Sequence, residues 1–496
     1  MAHDVVLGLD VGTSGVKAIL VDASGEVRAA TTTPLTLSTP QPGWAEQDPA
    51  DWWSACLTSI RNVLQQHDAR VLAVGIAGQM HSSVFLDAGG RVVRPALLWC
   101  DGRTTAQCAE ITRLVGGEEQ LREWVSNPAL EGFTLPKVLW LRQHEPAAFA
   151  RVTTVLLAKD YIRYRLTGEQ ATEPSDASGT LMYDSARQRW SRELMDAVGL
   201  PLSLLPNVGM SAAALGSVMP DAAQASGLRV GTPVVGGGAD NACGAAGVGA
   251  VAPGEAVASW GTSGTVLAPM DAPRVDPALR AHTFCHVLPD VWYVMGVVLS
   301  AGGAFAWYRN QFARELADAD DANERLNAEA EQIPRGADGV TFLPYLQGER
   351  TPHRDASARG AFLGMSLAHS RAHLTRAVLE GVCFALRDSL TILHELGLAP
   401  SHLLLTGGGA RSPFVRRMQA EVCGLPVATV NREEGPAFGA ALLAAVGAGV
   451  YRHLGEAAAA TLVRGPLETP DRAAHLEYES AYQRFRAAYK AARPLA

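Results

Sequence analysis

The tetrapeptide Gly-Thr-Ser-Gly occurs twice in the chain, at residues 12–15 and again at residues 261–264. The two copies are 249 residues apart in a chain of 496, so they occupy equivalent places in its two halves. Each copy lies between two apolar, strand-like segments, and a given tetrapeptide recurs by chance in about one chain in a hundred. The repeat therefore predicts two domains of related fold, at residues 1–252 and 253–496, with a functional cleft between them.

Apolar periodicity and turn residues predict that both halves mix strands with helices, which places the fold in the α/β class. We expect strands at residues 5–9, 16–21, 27–33, 71–76, 294–299 and 403–406. We expect helices after Asp48, across the solvated stretch 312–332, at 374–396, after Ser412, and in the closely packed small-residue run 439–450. Between the second-half strand 294–299 and the next helix, Gly302 and Gly303 predict a break.

Composition excludes several classes of protein. The chain is 48% apolar and 19% charged, which excludes a disordered or fibrous protein, and its formal charge of −8 gives no general reason to bind nucleic acid or an anionic membrane. Seven cysteines without a CxxC pair indicate free thiols in a reducing compartment. No signal-peptide pattern and no long apolar segment is evident, so we expect a cytoplasmic protein that does not enter the membrane.

The two Gly-Thr-Ser-Gly turns predict a phosphate-binding site. A glycine turn between strands exposes backbone amides that can contact a phosphate chain closely. An isolated copy is more simply interpreted as a hairpin turn, but its duplication favours the phosphate interpretation. The first copy is flanked by Asp10, a carboxylate suited to magnesium, and by Lys17, an ammonium suited to phosphate oxygens.

Other nucleotide motifs are absent from the sequence. No Gly-Lys pair occurs, which excludes the GxxxxGK[ST] phosphate loop, and no glycine turn in the first half fits a dinucleotide fingerprint. The run of three glycines at 407–409 comes between a strand and a helix start. It is equally consistent with an adenosine-binding loop and with a loop that is tight only for packing.

Asp240 follows a third glycine loop, at 236–238, and precedes a helix that we expect to begin near Ala242. A carboxylate in that position could accept a hydroxyl proton during phosphoryl transfer to an alcohol. The same position also suits a helix N-cap, and from the residues alone the N-cap is the more economical interpretation.

Seven motifs in order along nearly the whole chain resemble the FGGY family of carbohydrate kinases. They are residues 10–17 (DVGTSGVK), 78–81 (GQMH), 99–103 (WCDGR), 238–244 (GADNACG), 261–264 (GTSG), 345–353 (YLQGERTPH) and 406–411 (TGGGAR). The resemblance implies two actin-like, ribonuclease H-type ATPase domains with a central cleft. It also implies a homodimer, and phosphorylation of D-xylulose by ATP with Mg²⁺.

The resemblance also implies roles for particular residues. Asp240 would be the catalytic base for the O5 hydroxyl. The sugar would contact Met80, His81, Trp99, Asp101, Asp240 and Asn241. The phosphates would contact Gly12, Thr13, Lys17, Gly261 and Thr262, the adenosine would contact Gly408 and Gly409, and Asp10 would organise magnesium. Cys100 and Ala239 depart from the usual Asn and Gly, and the first departure affects the expected substrate preference.

Two alternatives remain open at this point. A related kinase could act on ribulose, glycerol or another polyol, although a charged pair in place of Met80 and His81 would suit glycerol better. An actin-like ATPase with no small acceptor would be a protein of a different class, and the combination of Asp240, Asn241 and the sugar motif argues against it.

Overall fold

The structure is a computed structural model that describes residues 3–316 and 319–495. Its first large sheet has seven strands: β1 (His3–Val11), β2 (Gly15–Asp22), β3 (Val27–Pro34), β4 (Ala69–Gly78), β5 (Ala214–Ser217), β6 (Pro233–Val235) and β7 (Gly238–Ala239). Its second large sheet has six strands: β8 (Glu255–Trp260), β9 (Gly264–Met270), β10 (His282–Cys285), β11 (Trp292–Val298), β12 (His402–Gly407) and β13 (Val427–Ala428).

Helices surround the two sheets. They are α1 (Pro49–Gln66), α2 (Thr105–Leu114), α3 (Glu118–Val125), α4 (Thr134–His144), α5 (Pro146–Phe149), α6 (Ala158–Thr167), α7 (Pro174–Ser178), α8 (Arg192–Val198), α9 (Pro220–Ser226), α10 (Asp240–Gly247), α11 (Gly302–Phe312), α12 (Ala322–Glu331), α13 (Arg371–Glu395), α14 (Pro413–Cys423), α15 (Pro436–Gly447), α16 (Leu454–Thr461) and α17 (Arg472–Ala492). Short strand pairs complete the structure: Glu46–Gln47 with Ala96–Leu97, Val84–Leu86 with Thr154–Leu156, Ala171–Thr172 with Asn207–Val208, Tyr183–Asp184 with Arg189–Trp190, and Thr341–Leu343 with Ala361–Leu363.

The two large sheets share one topology. In the first, β1, β2 and β3 form an antiparallel meander and β4 adds parallel to β1. In the second, β8, β9 and β11 form the equivalent antiparallel meander, with β10 inserted before β11 in the chain and paired to its outer edge, and β12 adds parallel to β8. In each half a helix comes directly before the parallel strand, α1 in the first half and α13 in the second, although α11 and α12 also lie between β11 and α13. The prediction of two related α/β halves is therefore confirmed, and the Gly-Thr-Ser-Gly copies are the equivalent first hairpins.

The small-residue run near residue 440 forms the core helix α15, as predicted. A side chain at Gly75 of β4 would place its Cβ 1.9 Å from the Ala440 carbonyl oxygen, and one at Gly8 of β1 would lie 2.2 Å from the Ala437 oxygen. Across the helix, a Cβ at Gly439 would lie 1.9 Å from the Cys243 oxygen of α10. Glycine and alanine therefore let α15 touch two strands and α10 at backbone distance, with residues 437–445 buried.

Two helix starts agree with their sequence signals. The Asp48 side chain accepts a hydrogen bond from the Ala50 amide ahead of α1, and the Ser412 side chain accepts one from Val415 ahead of α14. In both helices proline occupies the first turn, where its missing N–H costs no hydrogen bond. The long helix predicted at 374–396 is α13, and Gly397 follows its end.

Two predictions in the second half are wrong. Gly302 and Gly303 do not form an irregular segment before the next helix but are the first two residues of α11. Their amides donate to the carbonyls of Gly261 (2.8 Å) and Thr262 (2.9 Å). This contact with the hairpin is tertiary, so local sequence does not predict it. The expected helical stretch 312–332 is not continuous, because α11 ends at Phe312 and α12 covers only 322–331; residues 317 and 318 lie outside the described part.

Across residues 3–316 and 319–495, no helix combines the length and apolarity needed to cross a membrane. All seven cysteines carry free thiols, which agrees with the expectation from their number and spacing.

Candidate functional site

The turns of the two equivalent hairpins leave backbone amides without partners. In the first turn, the amides of Thr13 and Ser14 donate no hydrogen bond to the described part of the chain. In the second, the same holds for Thr262 and Ser263, while the Thr262 carbonyl is held by the start of α11. Free amides at a glycine turn are donors suited to an anion. Both hairpins are therefore chemically able to bind phosphate oxygens.

Asp10 lies at the end of β1, directly across the strand pair from Lys17 of β2. Paired positions place both side chains on one face of the sheet. The Asp10 Oδ1 atom is buried and has no hydrogen-bond partner. Burial, reinforced by the nearby charge of Asp240, raises the pKa of Asp10 to about 7, and Lys17 opposes that rise. Asp10 is thus a half-buried carboxylate with one enclosed, unpartnered oxygen, and an added cation would stabilise it.

The surroundings of Asp10 fit Mg²⁺ in one respect. Among the described residues no group of three His, Cys, Asp or Glu side chains could hold a metal without help. Magnesium bound together with a nucleotide needs only one or two carboxylates, because phosphate oxygens and water supply the other ligands. The unpartnered Oδ1 of Asp10 is such a carboxylate oxygen.

Asp240 is the first residue of α10, and Ala239 before it is the N-cap residue. The alternative that Asp240 serves as the N-cap is therefore wrong. Its Oδ1 accepts hydrogen bonds from the backbone amide of Asn241 at 2.7 Å and from the Asn241 side chain at 3.0 Å. Burial raises the pKa of Asp240 to about 6, against the opposing hydrogen bonds from Asn241 and the Met80 backbone. Near neutral pH the carboxylate is ionised but basic enough to accept a proton.

A cavity of about 630 Å³ begins at Asp240 and extends over the second sheet. Residues of both halves form it: α10 and the start of α15 on one side, and strands β8, β9 and β12 on the other. Its lining residues are Asp240, Asn241, Gly244, Ala245, Val248, Val257, Ser259, Thr265, Leu267, Leu405, Thr406, Gly407, Gly408, Ala410, Arg411, Arg416, Thr429, Val430, Arg432, Glu433, Gly435 and Pro436. A cavity of this size, lined by apolar residues and by three arginines, suits a nucleotide.

The three glycines after β12 have different environments. Gly407 and Gly408 line the cavity, and a side chain at Gly408 would meet no atom closer than 4.0 Å. Gly409 does not line it, because its Cα faces the Trp260 ring and an added Cβ would lie 2.5 Å from that ring. Gly408 therefore lines the same cavity as Asp240. Gly409 is needed for another reason, because a side chain at that position would collide with the Trp260 ring.

Met80 and His81 lie beside Asp240 and Asn241. The Asn241 side-chain amide approaches the Met80 sulfur at 3.7 Å. The His81 Nδ1 contacts the carbonyl oxygen of Gly179, which can only accept, so Nδ1 carries the proton. Burial lowers the pKa of His81 to about 3, so the ring is neutral and its Nε2 is a hydrogen-bond acceptor. Met80 therefore offers an apolar contact to a hydroxylated ligand, and His81 Nε2 offers a hydrogen-bond acceptor.

Trp99 contacts the first hairpin. Its indole N–H donates to the Thr13 hydroxyl at 3.0 Å, and that hydroxyl donates to the Gln79 side chain at 3.1 Å. The Gln47 side chain donates to the Thr13 carbonyl at 2.8 Å. Thr13 is thus fixed by three side chains, two of which, Gln47 and Gln79, sequence reasoning did not assign. Gln79 lies within the GQMH motif, which was the available signal for it.

Asp101, expected as a sugar contact, is held in a buried ion pair. Arg103 donates to its Oδ2 at 2.7 Å, and the Ala45 amide donates to the same oxygen at 2.6 Å. Only 1% of the Asp101 surface is exposed. The neighbouring Cys100 is exposed. In this structure Asp101 therefore stabilises the loop that carries Trp99, and its direct contact with a sugar stays a prediction.

Both halves of the chain match models of one family. Residues 5–247 match the N-terminal domain of the FGGY family of carbohydrate kinases, and residues 256–448 match its C-terminal domain. The chain is 42% identical to the xylulose kinase of Escherichia coli K12, over 99% of both chains. It is 41% identical to the xylulose kinase of Bacillus subtilis 168, over 91% of this chain and 90% of the relative.

A solved structure supports the same family assignment. The xylulose kinase of Rhodospirillum rubrum superposes with a TM-score of 0.91 at 33% identity, covering 99% of both chains. These matches cover the two sheets, the repeated hairpins and the cavity between the halves. The chain therefore belongs to the FGGY family of carbohydrate kinases.

Proposed function

We propose that this chain transfers the γ-phosphoryl group of ATP to O5 of D-xylulose, giving D-xylulose 5-phosphate and ADP. The observation that carries the proposal is the position of Asp240. Its carboxylate lines the nucleotide-sized cavity and is also linked through Asn241 to Met80, which His81 follows in the chain. One carboxylate therefore adjoins both the space for a phosphate donor and the groups suited to a sugar.

Asp240 acts as the general base in this reaction. Its carboxylate accepts the proton of the O5 hydroxyl while that oxygen forms a bond to the γ-phosphorus. The bond between the γ-phosphorus and the bridging oxygen breaks, and ADP leaves with the electron pair. The pKa of about 6 suits this role, because the base is ionised near neutral pH and still basic enough to take a proton.

The hairpin turns hold the phosphate groups. The free amides of Thr13 and Thr262 donate to phosphate oxygens, and Lys17 adds a positive charge near Asp10. When Mg²⁺ is bound with ATP, Asp10 supplies its protein carboxylate and the cation offsets the negative charge of the phosphates. The adenosine occupies the far part of the cavity, next to Gly408 and the apolar wall of β8, β9 and β12.

The sugar is held beside Asp240. Neutral His81 accepts a hydrogen bond from a sugar hydroxyl through Nε2, and Met80 packs against the carbon chain. Asn241 is fixed by the Asp240 carboxylate and orients its amide toward the same space. Neither Met80 nor His81 carries a charge, which suits an uncharged ketopentose. The names of the two curated relatives support D-xylulose as that ketopentose.

Water must be kept from the γ-phosphate until the phosphoryl group is transferred to the sugar, so we propose that the two halves close over the bound substrates.

A homodimer and a cytoplasmic location complete the proposal. The seven free thiols support a reducing compartment. Light scattering during size-exclusion chromatography tests the dimer.

The proposal is tested by the identity of the product. The purified protein is incubated with ATP, Mg²⁺ and D-xylulose labelled with ¹³C at C5, and the product is followed by NMR. Phosphorus coupling at C5, together with stoichiometric ADP, is the expected result. Phosphate on another carbon would refute the O5 assignment, and ADP with free phosphate but no sugar phosphate would refute the kinase reaction.

A further inference from the structure

His81 itself adopts a backbone conformation that is uncommon for residues other than glycine. His81 has φ of +70°, in the left-handed region that favours glycine. Holding a residue other than glycine there costs about 1–2 kcal/mol, so surrounding contacts must enforce the conformation. The structure shows which contacts these are.

Two side chains of α4 donate to the same carbonyl oxygen of His81. Lys137 reaches it through Nζ at 3.0 Å, and Thr134 reaches it through Oγ1 at 3.1 Å. Thr134 and Lys137 are three residues apart on α4 and so lie on one face of the helix. Lys137 also donates to the Gly132 carbonyl, which ties the start of α4 to the same ammonium group.

Lys137 differs from most lysines, which are exposed or paired with a carboxylate. Its side chain is completely buried, and no carboxylate of the described residues lies within 4.0 Å of its ammonium group. Burial lowers the pKa of Lys137 to about 7, and the more distant negative charge of Asp101 opposes that fall. A buried amine that makes no hydrogen bond costs folding free energy, so the groups that Lys137 contacts are informative. Its two hydrogen bonds to carbonyl groups identify what it holds.

The opposite side of His81 is fixed by Gly179. The His81 ring donates from Nδ1 to the Gly179 carbonyl. A side chain at Gly179 would place its Cβ 2.9 Å from the Met80 Cε and 3.0 Å from the His81 Nδ1. The ring also packs against Phe133, with ring centres 4.8 Å apart. Backbone and ring of His81 are thus both held, and only Nε2 is left to a ligand.

We propose that Lys137 is a positioning residue that fixes His81, through its carbonyl oxygen, in the conformation that presents Nε2 to a sugar hydroxyl. The proposal rests on the proposed function, since it takes the sugar to bind beside His81. Thr134 supports the same carbonyl with a weaker, neutral donor. Without Lys137, the backbone can relax toward an ordinary conformation and turn the imidazole away from the sugar.

The test is a double-variant cycle on acceptor kinetics. The protein is prepared as wild type, Lys137→Met, His81→Ala and the combination, and each is assayed with the acceptor that the wild type uses best among D-xylulose, D-ribulose, L-xylulose and glycerol. Lys490→Met is the matched control, because it removes the same charge from an exposed position of α17. We expect Lys137→Met to raise the acceptor KM at least tenfold while the KM for ATP changes less than twofold.

In the His81→Ala background, Lys137→Met should change the acceptor KM less than twofold, because the residue that it positions is gone. The proposal would be overturned if the acceptor KM of the double variant rose by the product of the two single-variant increases. It would also be overturned if Lys137→Met raised the KM for ATP as much as the KM for the acceptor. If Lys137→Met does not fold, Thr134→Val replaces it in the cycle, with an expected increase of about twofold to fivefold and the same non-additivity. Additive effects would overturn the proposal for Thr134→Val too.

Failure of the proposed function is distinguishable from failure of this inference. Preference for an acceptor other than D-xylulose refutes the substrate assignment, whereas the cycle measured with that acceptor still decides the role of Lys137. A wild type that phosphorylates no acceptor overturns both.

Discussion

Replacing Asp240 by asparagine should abolish most catalysis and at the same time stabilise the protein. The variant keeps the shape of the side chain but removes the base, so kcat should fall by about 10²–10⁴ with little change in either KM. Burial raises the pKa of Asp240 from its usual 3.8 to about 6, which corresponds to at most about 3 kcal/mol of destabilisation when the group is ionised. Asparagine carries no charge and avoids that cost.

The sign of the effect depends on pH. The folded state binds the Asp240 proton more tightly than the unfolded state does, so this group favours folding below about pH 3.8 and that contribution is lost as the pH rises through about 6. Asp240→Asn should therefore raise Tm by about 5–10 °C at pH 8 and hardly at all at pH 4. Differential scanning fluorimetry at both pH values measures this shift, and steady-state kinetics measures kcat.

Asp221→Asn is the matched control, because Asp221 is exposed in the first turn of α9, and it should change neither kcat nor the pH dependence of Tm. A kcat within tenfold of wild type would remove Asp240 from the role of base. A lower Tm for Asp240→Asn at pH 8 would show that the half-buried charge of Asp240 is compensated, and would refute the electrostatic reasoning.

Three further predictions follow from other parts of the structure. Gly75→Ala should destabilise the protein by about 3 kcal/mol or more, since its Cβ would lie 1.9 Å from the Ala440 oxygen, whereas Gly455→Ala in α16, with nothing closer than 3.4 Å, should not; urea unfolding compares the two. Trp99→Phe removes the indole donor to Thr13 and should lower kcat/KM for the sugar severalfold, and unchanged kinetics would show that this hydrogen bond is dispensable. Hydrolysis of ATP without a sugar should be at least a hundredfold slower than turnover with one, and comparable rates would contradict a closure that excludes water.

The sequence predicts those parts of the fold whose signals are local or repeated. Both hairpins, the parallel strand after each meander and the helix starts at Asp48 and Ser412 follow from short patterns of residues. The small residues of α15 predict close packing because only glycine and alanine allow backbone contact. The glycine loop before Asp240 draws attention to its carboxylate, but the residues alone favour a helix N-cap there, and the role of catalytic base comes from the resemblance to the FGGY family.

Tertiary contacts explain what the sequence does not predict. Gly302 and Gly303 begin a helix because the carbonyls of the second hairpin accept their amide protons. The ion pair of Asp101 with Arg103 is local in contrast, since the two residues are two positions apart, and an Asp-x-Arg spacing is a sequence signal for it. The buried Lys137 is identifiable only once α4 is placed against His81, because nothing in its neighbourhood along the chain indicates which carbonyl it contacts.

The central claim is that the site beside Asp240 selects D-xylulose. The most direct measurement is kcat/KM for ADP release with ATP and Mg²⁺, compared among D-xylulose, D-ribulose, L-xylulose, glycerol and no acceptor. We expect kcat/KM for D-xylulose to exceed that for each of the others by at least tenfold. A higher value for another acceptor would contradict the assignment of Met80, His81 and the Cys100 loop, and equal ADP release with every acceptor and with none would contradict the kinase reaction itself.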